Sequence, residues 1–179
     1  MIVDNLTHLN IVAIEQLTLN RTAFSCESEA LTRYFHCFAT QDVKKGLAKC
    51  FVLIDQKQSA IIGFYTLSAL SISLADLSPA QVKGVPYPLI PAALLGRLAI
   101  DSRFARQGYG KFLIVDAIHK IKQTALAAAL LVVDAKDDNA LAFYRKLGFI
   151  EFRQSTGAMR KLFYPLTKII KSANSLTST

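Results

Sequence analysis

A basic turn with two glycines is the segment best suited to chemistry. Residues 103–111 read RFARQGYGK and lie between an apolar run and a stretch with helical periodicity. Glycines allow the main chain to turn tightly, so that several N–H groups face one point, and a helix N-terminus adds partial positive charge. This pattern predicts a pyrophosphate-binding loop, and the alternative is a plain strand-to-helix turn with incidental glycines.

The spacing of the glycines narrows the choice of phosphate ligand. The pattern GxxxxGK[ST] is absent, and GxGxxG fails because Leu113 occupies the place of the third glycine. The sequence therefore disfavours both a nucleoside triphosphatase loop and a dinucleotide fold. The three histidines are scattered and the cysteines show no CxxC spacing, so we expect no protein metal site.

Apolar periodicity indicates the elements that must position this turn. The predicted strands are residues 9–17, 48–55, 60–74, 92–100, 130–135, 149–153 and 159–166. The predicted helices begin at Ser25 or Ser28, at Gly108 and near Ala140, and the first and last of them end at Gly46 and Gly148. Residues 79–91, which hold four of the five prolines, predict a short helix and an irregular loop.

The order of these elements predicts an α/β (α+β) fold with a mixed central sheet of about six to seven strands flanked by helices. Residues 1–166 are expected to form one domain, and the Ser/Thr-rich segment 167–179 is expected to be loosely ordered. The apolar fraction of 52% excludes a disordered chain. The longest apolar run, residues 125–133, is too short to span a membrane.

Charge and cysteine content indicate the partners and the compartment. The formal net charge is +8, and it is concentrated in residues 33–57, 97–122 and 150–179, which favours an anionic partner. The odd cysteine number (Cys26, Cys37 and Cys50) and the absence of a signal peptide pattern predict reduced thiols in a cytoplasmic protein.

A second block of sequence, DAKDDNALAFYRKLGF at 134–149, narrows the function of the glycine turn. Together with RQGYGK, it resembles the GNAT (GCN5-related) N-acetyltransferase family over at least residues 61–166. The turn is similar to the family's acetyl-CoA pyrophosphate loop, and residues 144–149 are similar to its closing Tyr-x-x-x-Gly-Phe helix.

Four blocks in order resemble a narrower group, the GNAT toxins of bacterial toxin–antitoxin pairs. They are FSCESEALTRYF, GFYTLSALSI, LLGRLAID and AFYRKLGF. This resemblance implies acetylation of the α-amino group of aminoacyl-tRNA, which stops translation. It also implies a ribbon-helix-helix antitoxin as protein partner and a homodimer.

The resemblance assigns roles to particular residues. Leu98, Ala99 and Ile100 would lie on a splayed strand that holds the pantetheine arm through main-chain groups, with the Ile100 N–H at the thioester carbonyl. The pyrophosphate would lie on a segment of six residues, namely Arg106, Gln107, Gly108, Tyr109, Gly110 and Lys111. Tyr144 would be the general acid that protonates the leaving thiolate, whereas periodicity alone favours Tyr144 as a core aromatic.

Two positions depart from the family pattern. The first residue of the phosphate loop falls on Ala105, so Arg103 or Arg106 would supply that contact. Asp137 stands where many GNAT enzymes carry an asparagine. No carboxylate stands out as a general base, since Glu151 and Asp101 are candidates only by position and each is expected to be a solvated surface group.

The absence of a clear base favours an α-amine acceptor over a lysine near 10.4. A free α-amine has a pKa of about 7.7–8.0, and that of an esterified amino acid is expected to be lower, so much of it is already neutral. Basic side chains would contact tRNA phosphates. The candidates are Arg33, Lys44, Lys45, Lys49, Arg97, Arg103, Arg153, Arg160, Lys161 and Lys168.

Two alternatives remain open at this point. One is a GNAT enzyme that acetylates a small-molecule amine or a protein N-terminus. The other is a non-catalytic CoA-responsive or RNA-binding module with the same fold.

Overall fold

The computed structural model describes residues 7–153 and 160–167. Its strands are β1 Leu9–Ala13, β2 Lys49–Asp55, β3 Ala60–Ser73, β4 Leu89–Ile100, β5 Leu130–Ala135, β6 Ile150–Glu151 and β7 Arg160–Pro165. Its α-helices are α1 Glu29–Cys37, α2 Ala39–Lys44, α3 Tyr109–Gln123 and α4 Asp138–Lys146. Short 3-10 turns cover Ile14–Gln16, Arg21–Ala23, Leu74–Asp76 and Ser102–Phe104.

The strands form a seven-stranded mixed sheet in the order β1-β2-β3-β4-β5-β7-β6. β4 and β5 pair in parallel, whereas β1 with β2, β2 with β3, β5 with β7 and β6 with β7 pair antiparallel. The predicted mixed sheet flanked by helices is therefore confirmed.

The chain divides into two compact units. The first comprises the residues up to Ser68 together with Gly96–Ala117, and its core is aromatic. The ring of Phe35 stacks on Phe64 at 4.5 Å between centroids and meets the edge of Phe24 at 4.9 Å. All three rings are fully buried, and α1 supplies one of them, so α1 is held on the sheet by its apolar stripe.

The second unit comprises Ala69–Leu95 and the residues from Ile118 onward. Its core is built from β5 and the elements around it, including the fully buried Leu130, Val132 and Phe163. Phe152 packs against Phe163 at 4.9 Å between ring centroids. Because β5 is buried on both faces, its sequence LLVVDA is an almost continuous apolar run.

The first predicted helix is divided in two. Ser28 caps α1 by accepting a hydrogen bond from the Leu31 N–H at 3.4 Å. The helical region ends at Lys44, with Lys45 as its cap, just before the predicted stop at Gly46. The helix breaks at Phe38, although the i, i+3, i+4, i+7 spacing of Leu31, Tyr34, Phe35 and Phe38 predicts one continuous apolar stripe. That detail is wrong, since Phe38 is 41% exposed beyond the end of α1.

Other predicted boundaries differ from the observed ones. The 79–91 segment contains no helix; its residues form turns, and β4 begins at Leu89 rather than at residue 92. The prolines explain this, because they cannot donate the hydrogen bonds of a helix interior. β1 ends at Ala13 where a 3-10 turn begins, and β6 has only two residues.

Within the part of the chain that the structure describes, no helix is long and apolar enough to cross a membrane. The single domain over 1–166 stays a prediction. The expected loose tail lies outside the described residues, apart from Thr167.

Candidate active site

The end of β4 carries the three residues predicted to hold the pantetheine arm. The parallel ladder joins Ala92–Leu95 of β4 to Leu130–Val133 of β5, so residues 96–100 lie beyond it in the chain. Ala99 is buried, while Leu98 and Ile100 are half-buried. Asp101, which follows Ile100, is hydrogen-bonded to β3, because its N–H donates to the Ile62 carbonyl at 2.8 Å.

A bulge in β3 sets this arrangement. The register of β2 against β3 shifts between Leu53 and Ile54, which leaves Ile62 as the extra residue of β3. A Cβ on the adjacent Gly63 would lie 2.6 Å from Ile100 Cδ1 and 2.7 Å from the Ala99 carbonyl oxygen. Only glycine therefore allows β3 and the end of β4 to approach this closely.

Asp101 anchors the turn that follows β4. Its carboxylate accepts hydrogen bonds from the Ser25 N–H at 3.1 Å, from the Arg103 N–H at 3.0 Å and from Arg103 Nε at 2.8 Å. Burial raises the pKa of Asp101, but the hydrogen bonds from Arg103 and Ser25 outweigh burial and hold the pKa below its ordinary value. The expectation of a solvated Asp101 is wrong, since this carboxylate is 1% exposed and fully engaged.

The predicted phosphate loop has a distinctive main chain. Arg106 adopts a φ of 61° and Gly108 a φ of 89°, both in the left-handed region. The first main-chain bond of α3 runs from the Phe112 N–H to the Gly108 carbonyl at 3.2 Å. The N–H groups of residues 109–111 precede that bond, so they have no acceptor within the helix and face outward from its start.

The side chains of the loop divide into two kinds. Arg106, Gln107 and Lys111 are exposed, and no ion pair joins Arg106 or Lys111 to another described residue. Arg103 is committed to Asp101, so the structure leaves Arg106 as the arginine with an unpaired guanidinium. α3 itself is fixed on the sheet, because the buried Tyr65 donates its hydroxyl to Asp116 at 2.5 Å.

Tyr144 lies on α4 in the second unit. Asp137 caps this helix by accepting a hydrogen bond from the Ala140 N–H at 2.8 Å, which gives the residue in the family's asparagine position a structural role. The Tyr144 ring is buried, with the rings of Phe143 and Phe149 each 5.3 Å away. Burial and, to a smaller extent, the negative charge of Asp134 raise the pKa of Tyr144 to about 12.

The structure reveals one group that the sequence did not predict, Asp134, the residue before the last in β5. Its Oδ1 is buried and has no hydrogen-bond partner among the described residues. A signal was present in the sequence, since Asp134 is the one charged residue in the run LLVVDA. Glu151, which was named by position as a base candidate, is instead ion-paired with Arg145.

Arg97 and Tyr34 form a stacked pair in the first unit. The guanidinium lies 3.6 Å from the Tyr34 ring centroid. The Tyr34 hydroxyl donates to Asp42 at 2.9 Å, and burial followed by this hydrogen bond raises the pKa of Tyr34. Arg97 is therefore held in one orientation on β4 by an aromatic face.

The remaining basic candidates lie in both units. Arg33, Lys44, Lys45 and Lys49 are exposed in the first unit, and Arg153 and Lys161 are exposed in the second. Arg160 is ion-paired with Asp138, and Lys168 lies outside the described residues. Among the residues that the structure describes, no group of three or more His, Cys, Asp or Glu side chains is arranged to hold a metal ion.

A strand end, a basic glycine turn and an open helix N-terminus together form a site that can bind a pyrophosphate-bearing ligand. A family model described as an acetyltransferase (GNAT) domain matches residues 46–151. The chain belongs to the GNAT acetyltransferase family and is an acetyltransferase.

Curated relatives extend this likeness. A tRNA-acetylating toxin of Mycobacterium tuberculosis is 33% identical over 130 residues, which cover 72% of this chain and 76% of the relative. A probable toxin TacT of Sinorhizobium fredii is 29% identical over 73% of this chain and 77% of its own length. The alanine N-acetyltransferase of ribosomal protein bS18 from Escherichia coli K12 is 32% identical over 55% of this chain and 63% of its own length.

Solved structures show the same fold. A tyrosine-to-phenylalanine variant of KacT superposes with a TM-score of 0.80 at 29% identity, covering 90% of this chain and 97% of that chain. AtaT complexed with acetyl-methionyl-tRNAfMet superposes with a TM-score of 0.79 at 28% identity, covering 88% and 94%. AtaTR bound with acetyl-CoA superposes with a TM-score of 0.75 at 28% identity, covering 90% and 96%.

Proposed function

We propose that this acetyltransferase is the toxin of a toxin–antitoxin pair and acetylates the α-amino group of aminoacyl-tRNA. The observation that carries the proposal is the likeness of most of the chain to a tRNA-acetylating toxin. Acetylation removes the nucleophilic amine that peptide-bond formation needs, so translation would stop.

The residues around the loop fit acetyl-CoA, which supplies the acetyl group as a reactive thioester. A pyrophosphate is negatively charged and accepts hydrogen bonds. The loop offers it the outward-facing N–H groups of residues 109–111 and the exposed side chains of Arg106, Gln107 and Lys111. Gly108 allows the main-chain turn that directs them. The half-buried Leu98 and Ile100, with Ala99 between them, would hold the pantetheine arm through main-chain groups.

Tyr144 suits the role of a general acid. Its raised pKa keeps the phenol protonated throughout the neutral range, so it always holds a proton for a leaving thiolate. Its packed ring also fixes the direction of the hydroxyl, which donates no hydrogen bond to any described residue. The core-aromatic and catalytic interpretations are therefore compatible, since the ring packs and the hydroxyl reacts.

The basic side chains would supply the affinity for tRNA. The exposed Arg33, Lys44, Lys45 and Lys49 are available to phosphates, because no ion pair joins any of them to another described residue. Phosphate contacts of this kind position a nucleic acid without reading its sequence. Arg160 and Arg103 already have carboxylate partners and would contribute less.

The proposal includes partners and a compartment. We place the protein in the cytoplasm, where charged tRNA is found, with a ribbon-helix-helix antitoxin and a second copy of the chain as partners. Solved relatives include a KacTA–DNA complex and AtaTR, which support a toxin–antitoxin partnership.

A labelling experiment tests the function. The protein is incubated with radiolabelled acetyl-CoA and total charged tRNA, and the acetylated aminoacyl ends are identified after nuclease digestion. We expect label on the α-amine of a subset of aminoacyl-tRNAs. Uncharged tRNA and tRNA with a chemically blocked amine are the matched controls.

The second candidate is acetylation of a protein N-terminus, which the likeness to the bS18 alanine N-acetyltransferase favours. Ribosomal proteins and polyamines are therefore added as competing acceptors. Label found only on these acceptors contradicts the toxin proposal. Growth arrest on expression, relieved by the product of a small neighbouring gene, is the corresponding result in cells.

A further inference from the structure

Arg97 is a half-buried arginine near the end of β4 that no ion pair joins to another described residue. Its guanidinium lies 3.6 Å from the centroid of the Tyr34 ring, which is direct contact. That ring is 7% exposed, stacks on Phe64, and donates its hydroxyl to Asp42 at 2.9 Å. Because the ring is held by these contacts, the guanidinium on it has a fixed position.

The other described arginines of the first unit are either engaged or solvated. Arg21 donates to a carbonyl and to a hydroxyl oxygen, each at 2.9 Å, and Arg103 is paired with a carboxylate. Arg33 and Arg106 are exposed, so water screens their charge. Arg97 is partly withdrawn from water, and a charge in that position is stabilised most by an anion. Its surroundings therefore favour a negatively charged ligand.

The alternation of side chains along β4 shows which face of the sheet Arg97 occupies. Ala99, two residues further on, packs in the aromatic core beneath α1, and Arg97 contacts α1 on the same face. Ile100 points to the opposite face, because a Cβ on Gly63 would lie 2.6 Å from Ile100 Cδ1 and 3.2 Å from Leu113 Cδ1 of α3. The phosphate loop leads into α3. Arg97 is therefore on the face away from that helix and remains available to the second reactant, the acceptor.

The place of Arg97 along the strand limits which anion it can meet. It precedes Ile100, whose N–H is expected at the thioester carbonyl, by three residues, a span of about 10 Å in a strand. In an aminoacyl-tRNA, the ester and one ribose separate the α-amine from the phosphate of the last internucleotide linkage, which is a similar span. All other phosphates of the tRNA follow later in the chain. The last internucleotide phosphate therefore suits the position of Arg97.

We propose that Arg97 binds the phosphate of the last internucleotide linkage of the acceptor and so selects an amine that is carried on a nucleotide chain. This inference rests on the proposed function and names the contact next to the reacting amine. A guanidinium that stacks through its face keeps the N–H donors of its edge available, and two of them match two phosphate oxygens. Protein N-termini and polyamines carry no such phosphate, so this contact would favour tRNA over both.

Two full-length tRNAs test the contact. They end in the same aminoacyl-adenosine, joined by a stable amide, and carry an amino acid that the labelling experiment shows to be acetylated. They differ only in the last internucleotide linkage, which is a phosphodiester in one and an uncharged methylphosphonate in the other. The measured quantity is the ratio of kcat/KM for the two acceptors. A general loss of activity in a variant cancels in this ratio.

We expect the wild type to prefer the phosphodiester by about 10- to 100-fold, the usual contribution of a hydrogen bond between charged groups. Arg97→Gln should acetylate both tRNAs equally well, and its KM for acetyl-CoA should match that of the wild type. The control is Lys57→Gln, which removes one exposed positive charge from the turn between β2 and β3 of the same unit. It should keep the wild-type ratio.

Equal use of the two tRNAs by the wild type would overturn the proposal, and so would a wild-type ratio in Arg97→Gln. A raised KM for acetyl-CoA with an unchanged ratio would assign Arg97 to a phosphate of coenzyme A instead. Thermal unfolding shows whether Arg97→Gln is folded. If it is not, Arg97→Lys decides, because lysine keeps the charge without the paired donors. Its ratio should fall below that of the wild type, and an undiminished ratio would contradict the contact.

The failure of this proposal and the failure of the proposed function give different results. If the labelling experiment finds acetyl groups only on proteins or polyamines, the proposed function is wrong, and the phosphate contact of Arg97 is wrong with it. If aminoacyl-tRNA is acetylated but the linkage makes no difference, the function stands and only the role of Arg97 is wrong.

Discussion

Two regions of the chain differ in whether their polar groups are hydrogen-bonded. We call residues 96–111 the loop region and residues 130–149 the strand–helix region. In the loop region the carboxylate of Asp101 is fully paired and the main chain is held in the left-handed conformation at Arg106 and Gly108. In the strand–helix region Asp134 Oδ1 accepts from no described residue, and the Tyr144 hydroxyl donates to none. Binding and proton transfer are thus assigned to different parts of the chain.

This contrast has a physical reason. A loop that binds through main-chain N–H groups must be rigid, so its side chains are used to fix the main chain. A group that exchanges protons with a substrate must keep an unsatisfied donor or acceptor until the substrate arrives. Substitutions that disturb the main chain of the loop region should therefore change stability and acetyl-CoA affinity, and those in the strand–helix region should change the rate.

The largest effect is expected for Tyr144→Phe. Removing the phenolic proton should lower acetyl transfer by about 10²–10⁴-fold, the usual contribution of general acid catalysis. Because the ring remains and the hydroxyl makes no hydrogen bond to a described residue, the Tm and the affinity for acetyl-CoA should stay within error. Steady-state rates, calorimetric titration with acetyl-CoA and thermal unfolding measure the three quantities.

The matched control is Tyr164→Phe, which removes a hydroxyl from a neighbouring ring that contacts Phe149 at 5.5 Å between centroids. Its activity should equal that of the wild type. A full rate in Tyr144→Phe, or an equal loss in both variants, would remove Tyr144 from the mechanism.

Gly63→Ala should produce the next largest effect, now in the loop region. The new Cβ would lie 2.6 Å from Ile100 Cδ1 and 2.7 Å from the Ala99 carbonyl oxygen, so the end of β4 must shift. Overpacking of this kind lowers the free energy of unfolding by about 1–3 kcal/mol. Urea unfolding should show that loss, and acetyl-CoA affinity should fall with it.

Ser71→Ala, on an exposed position of the same strand, is the control and should change neither quantity. Unaltered acetyl-CoA affinity in a destabilised Gly63→Ala would show that the position of the β4 end does not matter for binding. The end of β4 would then affect stability but not acetyl-CoA binding.

Asp101→Asn should lower the free energy of unfolding by about 1–3 kcal/mol at pH 7, because hydrogen bonds to Ser25 and Arg103 are weakened. The pKa of Asp101 in the folded state lies below its ordinary value, so its contribution is present above about pH 4 and is lost as pH falls through the folded-state pKa. The difference between wild type and variant should therefore vanish in strong acid. Urea titrations at pH 7, 5 and 3 provide the measurement.

The smallest effect is expected for Gly108→Ala. A Cβ on Gly108 would meet no atom within 4 Å, so the substitution causes no clash. The expected loss of about 1–2 kcal/mol is the conformational free energy of holding a residue with a side chain at a φ of 89°. Because the strained loop must be re-formed in the bound state, acetyl-CoA affinity should drop by about tenfold while kcat is retained. A fall in kcat with unaltered affinity would place Gly108 outside the phosphate loop.

Much of the fold and the family could be predicted from the sequence. The strand LLVVDA, a helix cap at Ser25 or Ser28 and the glycine turn could each be predicted because they depend on residues a few positions apart. The seven-stranded mixed sheet and the acetyltransferase identity were confirmed. The break at Phe38 was missed because it depends on how the segment packs rather than on its periodicity. The short helix predicted within 79–91 was wrong because the prolines of that segment cannot donate the hydrogen bonds of a helix interior.

The candidate site was less predictable at the level of single charges. Asp101 and Glu151 looked equivalent in the sequence, and both were expected to be solvated. Arg103 and Arg106 looked equally able to meet a phosphate, but Arg103 is committed to Asp101. No role was predicted for Asp134, although it is the single charged residue of its strand.

The sequence by itself determined the local chemistry of this protein, namely a basic turn able to bind phosphate and a tyrosine on a capped helix. Such features arise from neighbours along the chain. The tertiary structure decided which ionisable groups are already paired, because pairing joins distant positions, as Ser25 joins Asp101 across 76 residues. It also left Oδ1 of the half-buried Asp134 without a donor among the described residues, and no pattern of nearby residues records that.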